Sequence, residues 1–323
     1  MKLRDKIQRP RRPVVIYEIL PPRIIDGTQE SYAEKISSLL SQTHIDAINI
    51  PEVHKEETRG ERPVGETSRA EPREFGKLIQ DLVGIETIIN RVTVHAQKEV
   101  QKEWIIDTCD NYEIDNLILV GGESRDINYK GPTVIETSEL INNDINYQER
   151  DIFCGGIVIP SRERESMRII EKGKSGIEYF TSQVIYNSKE VIKMLTNYQK
   201  ECDTREIKPK RILLSFAPIS TRKNLEFLKW LGVEFSRKTE GYILEDEVNG
   251  EIKNRSIEVS INVFEDILDH ITKEGISIPI GLNVEHIMSY NFQYSVELLQ
   301  KMSKIYRKFC IENRNLYGHI VEI

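Results

Sequence analysis

The sequence predicts a single-domain α/β protein in which eight parallel strands close into a TIM barrel surrounded by helices. Eight short apolar runs rich in Val and Ile alternate with amphipathic segments of helical period. No GxGxxG motif follows the first run, which disfavours a dinucleotide-binding open sheet. The 323 residues can bury one such core, and an open doubly wound sheet is the main alternative on the pattern alone.

The first predicted strand, residues 14–20, is the β-branched run VVIYEIL, and it ends where Pro21 and Pro22 cannot donate to a strand ladder. The other predicted strands are similarly apolar and cover residues 45–50, 86–94, 116–121, 152–159, 179–185, 211–219 and 278–285. Helical periodicity predicts helices over residues 31–41, 72–82, 98–111, 161–172, 189–201 and 221–231. Two more helices, about residues 257–272 and 291–312, flank the last strand.

Three segments fall outside this regular pattern. Residues 1–12 form a basic N-terminal arm, which could contact phosphates and is more often a solvated lead-in. Residues 52–72 are polar and follow the second strand, so they form either a lid over the catalytic face of the barrel or a surface loop. Residues 235–257 are charged and predict a hairpin or helical excursion without assigned function.

Composition excludes several classes of function. The net charge of −7 argues against nucleic acid as the main partner, and no run of about 18 apolar residues predicts a membrane span. The four cysteines form no CxxC pair, which predicts reduced thiols in a cytoplasmic protein. The six histidines show no HExxH or short HxH spacing, so no metal site is expected.

Polar residues at the carboxyl ends of the predicted strands indicate where chemistry would occur. In a parallel barrel these ends converge on one face, which carries the active site. The polar residues found there are Glu18, Thr93, His95, Glu123, Gln183, Ser220, Thr221, Glu285 and His286.

Two carboxylates and an amide, from Glu18, Glu123 and Gln183, predict a polar floor for a flat heterocyclic ligand. Two carboxylates in one partly dry pocket push their pKa values apart, so one can serve as a general acid while the other stays ionised. The Gly121–Gly122 pair would let a flat ligand approach the backbone. The alternative for Glu18 is a salt bridge with a Lys or Arg near the barrel mouth, and Glu123 and Gln183 could be ordinary loop-facing polar residues.

Four segments, in order and over roughly residues 12–310, resemble the methylenetetrahydrofolate reductase family. YEILPP resembles the family's opening FEFFPP, and LILVGGES resembles its LALRGD element. KGKSGIEYFTSQVIYN and LLSFAPISTRKNLEFLKWLGVEF are similar to two longer and more specific elements of the family. DAINIPE and GPTVIETSELI look closer to the divergent short members, which implies a form without the regulatory domain.

The resemblance implies a reaction and a role for each matching residue. Glu18 matches the acid that protonates the departing nitrogen of the methylene bridge, which opens the ring to an iminium cation that a hydride reduces to methyl. Glu123 matches the carboxylate that lies near pterin and flavin and stabilises this cation, and Gln183 matches the glutamine that holds the pterin. Ser220, in the PIS element, is expected to contact substrate.

The same resemblance implies bound FAD, with Thr93, Gly122, Glu123 and Lys172 as its contacts and NAD(P)H as a possible electron donor. Several flavin and nicotinamide contacts of the family are replaced, at Arg91, Gly121, Ile159, Glu163, Arg222, Met288 and Phe292. The electron source therefore stays open between flavin reduced by NAD(P)H, flavin reduced by a separate electron-donor subunit, and direct hydride transfer from a nicotinamide.

Two other functions remain as alternatives. A pterin-binding methyl-transfer barrel would use the same floor without flavin, and a non-catalytic folate-binding subunit of an electron-transfer complex would bind pterin without turnover. The sequence distinguishes neither folate from a related pterin nor a monomer from a homo-oligomer.

Overall fold

A computed structural model describes residues 1–40, 43–54, 60–65, 68–124, 127–148, 150–245 and 250–317. In this part of the chain, parallel strands pair in sequence order and the last strand closes on the first, which confirms the predicted barrel. The strands are β1 (Val15–Glu18), β2 (Ala47–Pro51), β3 (Thr87–Val92), β4 (Asn116–Val120), β5 (Phe153–Val158), β6 (Tyr179–Val184), β7 (Arg211–Phe216) and β8 (Ile280–Glu285).

Helices surround the barrel and follow the strands that the sequence pattern predicts. They are α1 (Leu3–Gln8), α2 (Gln29–Leu40), α3 (Pro72–Val83), α4 (Lys98–Asp110), α5 (Val134–Leu140), α6 (Glu165–Ser175), α7 (Ser188–Arg205), α8 (Arg222–Trp230), α9 (Arg237–Leu244), α10 (Ile252–Glu274) and α11 (Phe292–Glu312). The pattern missed α5, which is too short for its periodicity to be visible although Thr133 and Glu136 form a capping box. Within the predicted excursion at 235–257, the described residues form α9 and the start of α10.

The core has two layers because the strands of a closed parallel barrel are covered on both faces. Inside the barrel, side chains such as Ile16, Ile88, Phe153 and Leu213 pack together. Outside it, the opposite faces of the strands pack against the helices. This double burial explains why the strands are continuous apolar runs. None of the described helices is long and apolar enough to cross a membrane.

The N-terminal arm closes the bottom of the barrel. Helix α1 buries Leu3 and Ile7 against the interior side chains. The buried Arg211 guanidinium, at the start of β7, donates to the backbone carbonyls of Ile7 and Arg9. The expectation of a solvated lead-in was therefore wrong for this segment, because two apolar residues one turn apart are enough to dock a short helix.

Candidate active site

Glu18, the last residue of β1, stands at the centre of the catalytic face. Its carboxylate accepts a hydrogen bond from Asn49 Nδ2 at 2.5 Å, and Asn90 is a second amide neighbour. Burial raises the pKa of Glu18 to about 7, although the hydrogen bonds from Asn90 and Asn49 act in the opposite direction. A carboxyl group with this pKa can both donate and accept a proton near neutral pH. The structure thus places Glu18 where the sequence predicted it, in an environment suited to a general acid.

Glu285, the last residue of β8, is the direct neighbour of Glu18 across the strand pair that closes the barrel. Asn283 Nδ2 lies 3.2 Å from Glu285 Oε1 and 3.0 Å from Ser215 Oγ, which ties the carboxyl group into a buried polar network. Burial and then the charge of Glu18 raise the pKa of Glu285 well above its ordinary value. The sequence pattern placed Glu285 at a strand end but indicated no role for it.

Glu18 and Glu285 form the wall shared by two lobes of one cleft. The larger lobe has a volume of about 800 Å³ and lies under the loops that follow β1, β2 and β8. The smaller lobe has a volume of about 460 Å³ and lies over the ends of β3 to β6. Both volumes fall in the range of small-molecule sites. Two flat ligands could therefore meet at the carboxyl pair.

The smaller lobe contains three of the predicted site residues. Glu123, Gln183 and Lys172 all line it. The pairing of β6 with β7 shifts register between Thr181 and Val184, the segment that contains Gln183. Gln183 Nε2 donates to the carbonyl oxygen of Leu231 at 2.9 Å. Lys172 donates to the Ile157 carbonyl oxygen at 2.6 Å, and burial lowers its pKa despite the nearby Glu165 carboxylate. This lobe therefore combines a carboxylate, an amide and a buried cation.

Two predicted contacts are not brought to the cleft. Thr93 is fully buried behind the end of β3, and its hydroxyl lies 3.4 Å from the Val120 carbonyl oxygen. The Ser220 hydroxyl lies within hydrogen-bond distance of the side-chain oxygens of Asn224 and Asn291, which lie in a buried network between α8 and α11. Neither Thr93 nor Ser220 is among the residues that line the two lobes. The structure therefore does not bring these two residues together with Glu18, Glu123 and Gln183, and their roles as ligand contacts stay predictions.

The Gly121–Gly122 pair lines the smaller lobe beside Glu123. Tyr129 packs against one side of Gly122, since a Cβ there would overlap its ring. The Tyr129 hydroxyl also accepts the backbone N–H of Glu123 at 3.0 Å. Lys172, the predicted phosphate contact, donates to a carbonyl oxygen inside the protein. Of the four residues assigned to FAD, Gly122, Glu123 and Lys172 line this lobe and Thr93 does not, and bound FAD stays a prediction.

A charged cluster at the end of β2 was missed at the sequence level. Glu52 accepts hydrogen bonds from Arg91 at 2.5 Å and from the Val92 N–H at 2.9 Å, and it lies 3.2 Å from His54. Burial alone would raise the pKa of Glu52, but His54 and Arg91 hold it below its ordinary value. His54 packs edge-on against His95 with ring centroids 4.8 Å apart. This ionised carboxylate and His54 line both lobes together with Glu18 and Glu285, and His95 lines the smaller one.

His286 follows Glu285 and is completely buried, with no hydrogen-bond partner for either ring nitrogen among the described residues. Burial, and then the charge of Arg69, lower its pKa to about 3, so the imidazole is neutral at physiological pH. No group of three or more His, Cys, Asp or Glu side chains in the described ranges could hold a metal ion. The acid–base groups of the cleft are therefore carboxyls and the more open His54 and His95.

The larger lobe is partly roofed by the described part of the predicted lid. Arg62 lies over the rings of Phe227 and Trp230, with its Cζ 5.1 and 5.7 Å from their centroids. All three residues line the lobe, together with Arg23 and Arg69. The described residues of the 52–72 segment thus cover the cleft, as the lid interpretation predicted, while 55–59, 66 and 67 lie outside the described residues. The arginines make this lobe suited to an anionic ligand.

The fold and this cleft define a TIM-barrel protein with a small-molecule site at the carboxyl ends of its strands. The chain belongs to the family described as mycobacterial methylenetetrahydrofolate reductase, which matches residues 13–303. This finding confirms the resemblance that the strand-end motifs indicated. A comparison with curated protein sequences gave no significant match.

Solved structures show the same fold. The structure of an uncharacterized protein from Clostridium thermocellum, described as binding two copies of 5-methyl-5,6,7,8-tetrahydrofolic acid, superposes with a TM-score of 0.72 at 23% identity. The match covers 91% of this chain and 96% of that one. A 2,3-dimethylmalate lyase, with a TM-score of 0.49, 8% identity and coverage of 97% and 95%, shares only a general barrel likeness.

Proposed function

We propose that this protein reduces the methylene group of methylenetetrahydrofolate, or of a closely related pterin, to a methyl group. The observation that carries the proposal is the partly buried Glu18, which lines both lobes and whose proton can therefore reach a ligand in either one. Membership of the methylenetetrahydrofolate reductase family supports the substrate class. The two copies of methyltetrahydrofolate bound by the Clostridium thermocellum protein agree with a pterin ligand for this barrel.

In the proposed reaction the substrate pterin occupies the smaller lobe. Glu123 and Gln183 present a carboxylate and an amide, which suit the amino and amide edge of a pterin. Glu18 transfers its proton to the departing nitrogen of the methylene bridge, and the carbon–nitrogen bond breaks with its electron pair left on that nitrogen. The resulting iminium carbon accepts a hydride and becomes the methyl group. Carboxylates around the cleft stabilise the transient cation.

The hydride donor in this proposal is a reduced nicotinamide cofactor, which is oxidised as the iminium is reduced. The larger lobe adjoins the smaller one and offers Arg23, Arg62 and Arg69 for the anionic part of such a cofactor. We favour direct transfer because several of the family's flavin contacts are replaced in this sequence, at Gly121, Ile159 and Glu163. Bound FAD stays a prediction that the first experiment decides.

The first experiment is the visible spectrum of the purified protein, followed by turnover of methylenetetrahydrofolate with NADH or NADPH. We expect a colourless protein that oxidises the nicotinamide in step with formation of methyltetrahydrofolate. A flavin band bleached by the nicotinamide would restore the FAD prediction. Tight binding of methyltetrahydrofolate without turnover by any donor would contradict the reductase proposal. That outcome would favour the second candidate, a folate-binding protein, to which the ligand content of the Clostridium thermocellum structure also points.

Replacing Arg62 with alanine tests the larger lobe. Loss of the guanidinium that the proposal places against the anionic part of the nicotinamide cofactor is expected to cost about 1.5–3 kcal/mol of binding free energy, which corresponds to a rise of about 10- to 150-fold in the KM for the nicotinamide. Arg73→Ala is the matched control, since Arg73 stacks on Trp104 outside the cleft. An equal KM change in both variants would show that the effect is not local to the lobe.

A further inference from the structure

Glu18 and Glu285 are paired by the closure of the barrel rather than by any local sequence motif. They are the terminal residues of adjacent strands and stand in direct register. Both line both lobes of the cleft, whereas Glu123 lines only the smaller one. Glu285 is therefore the carboxyl group directly beside Glu18, whereas Glu123 shares only the smaller lobe with it.

The immediate surroundings of this carboxyl pair are neutral. The partners of Glu18 are the amides of Asn49 and Asn90, and Glu285 is bonded to the Asn283 amide, with the Ser215 hydroxyl also close. In the described part of the chain, neither carboxylate is within ion-pair distance of a Lys, Arg or His. Charged or titratable groups around the pair include Arg69 from the loop before α3, His286 after β8, and Glu52 and His54 at the end of β2.

None of these groups forms an ion pair with either carboxyl in the described part of the chain. Arg69 donates to the Pro21 carbonyl oxygen, Arg91 already neutralises Glu52, and the buried His286 imidazole is neutral. Two ionised carboxylates side by side without a cation repel each other strongly in a dry site. The directions of the pKa shifts of Glu18 and Glu285, both upward, agree with retention of protons.

Resting on the function proposed above, we propose that Glu285 is the positioning residue for the proton of Glu18. The two carboxyl groups act as a dyad that keeps at least one proton at neutral pH, and Glu285 sets the pH at which Glu18 can donate. With one proton on the pair, its charge is −1. After Glu18 protonates the departing nitrogen the pair carries −2 opposite the newly formed iminium cation. A proton from solvent restores the pair after hydride transfer.

Thermal unfolding as a function of pH tests the dyad without any turnover. A native carboxyl group whose pKa is raised binds a proton that the unfolded chain releases above about pH 4.5. The wild-type protein should therefore lose stability as the pH rises from about 4.5 through the raised pKa values. In that range the unfolding equilibrium constant should rise about tenfold per pH unit for each proton that the native state holds and the unfolded chain does not. Glu285→Gln removes this titration, so its melting temperature relative to wild type is expected to rise with pH.

The matched controls use Glu18→Gln and Glu123→Gln. The gains of Glu18→Gln and Glu285→Gln at pH 8 are expected to be less than additive in the double variant, because either change alone relieves the repulsion. Glu18→Gln and Glu123→Gln are expected to be additive. A pH-independent difference between Glu285→Gln and wild type, or full additivity of the Glu18 and Glu285 changes, would overturn the dyad.

A second measurement separates failure of the dyad from failure of the proposed function. In turnover, the high-pH limb of the rate profile, where the rate falls, is expected to begin at a lower pH in Glu285→Gln than in wild type. At pH values beyond this limb the variant should be less active than wild type, by about tenfold for every pH unit by which the limb has moved. Glu123→Gln is expected to leave the position of this limb unchanged. If the protein reduces the folate but the high-pH limb is unmoved in Glu285→Gln, the dyad is contradicted and the reductase function is not. If Glu285→Gln shows the expected pH-dependent melting temperature but the protein does not reduce the folate, the reductase function is contradicted and the dyad is not.

Discussion

Replacing Glu18 with glutamine is expected to lower the rate of methylenetetrahydrofolate reduction by about 10²- to 10⁴-fold, the range for loss of a general acid. Glutamine keeps the size of the side chain and its contact with Asn49, but it cannot release a proton to the departing nitrogen. Burial raises the pKa of Glu18 to about 7, and in the proposed dyad with Glu285 the last proton is held to a higher pH, so the wild-type rate should fall only above about pH 7. Single-turnover rates measured across pH with saturating substrate give both results.

Ligand binding provides the control for this variant. Because Glu18→Gln leaves Glu123 and Gln183 in place, the affinity for methyltetrahydrofolate should change by less than the rate does. Asn49→Ala is a useful companion, since it removes the hydrogen bond to Glu18 while the carboxyl group remains. Full turnover by Glu18→Gln would show that another group, such as His54, supplies the proton.

The second large effect is expected at the opposite end of the barrel. Replacing Arg211 with methionine should lower the free energy of unfolding by about 3–5 kcal/mol, as for other buried charged groups in hydrogen-bonded networks. The guanidinium donates to carbonyl oxygens of Ile7, Arg9, Pro10 and Ile280, and all of these would lose a buried partner. Urea denaturation would measure the loss, provided that the dependence of the unfolding free energy on urea concentration has the same slope in the variant and the wild type.

Arg150→Ala is the comparison for Arg211. Arg150 forms a bidentate ion pair with Asp110 at the surface. Its removal is therefore expected to lower the free energy of unfolding by only about 0–1 kcal/mol. Release of α1 in Arg211→Met would appear as faster proteolysis within the first ten or so residues, at a rate tied to local opening. A loss below that of Arg150→Ala would show that α1 docks mainly through Leu3 and Ile7.

The order and type of the elements were readable from the sequence because they depend on local chemistry. Strands covered on both faces must be continuously apolar, and helices on the outside must be amphipathic. Each element can therefore be recognised from its own residues alone. The position of Glu18 followed from the two prolines that end its strand. The family was readable for the same reason, since its motifs lie at strand ends.

The direction of individual side chains was less accessible. Thr93 and Ser220 were expected in the cleft, but each side chain is turned to a backbone carbonyl or an amide outside it. An apolar strand buried on both sides has no alternation of polar and apolar residues to show which face a residue occupies. The contact of Tyr129 with Gly122 was also unforeseen, because Tyr129 lies in a loop without periodicity.

The sequence by itself determined the barrel, the end of it that carries the cleft, and the place of Glu18 at the end of β1. Only the tertiary structure decided that Glu285 is the neighbour of Glu18, that two lobes meet at the pair, and that α1 closes the bottom of the barrel. The physical reason is the sequence separation of the residues that interact. Strand and helix patterns are set by neighbours a few residues apart, whereas the pairing of β1 with β8 joins the two ends of the chain and follows from closure of the sheet.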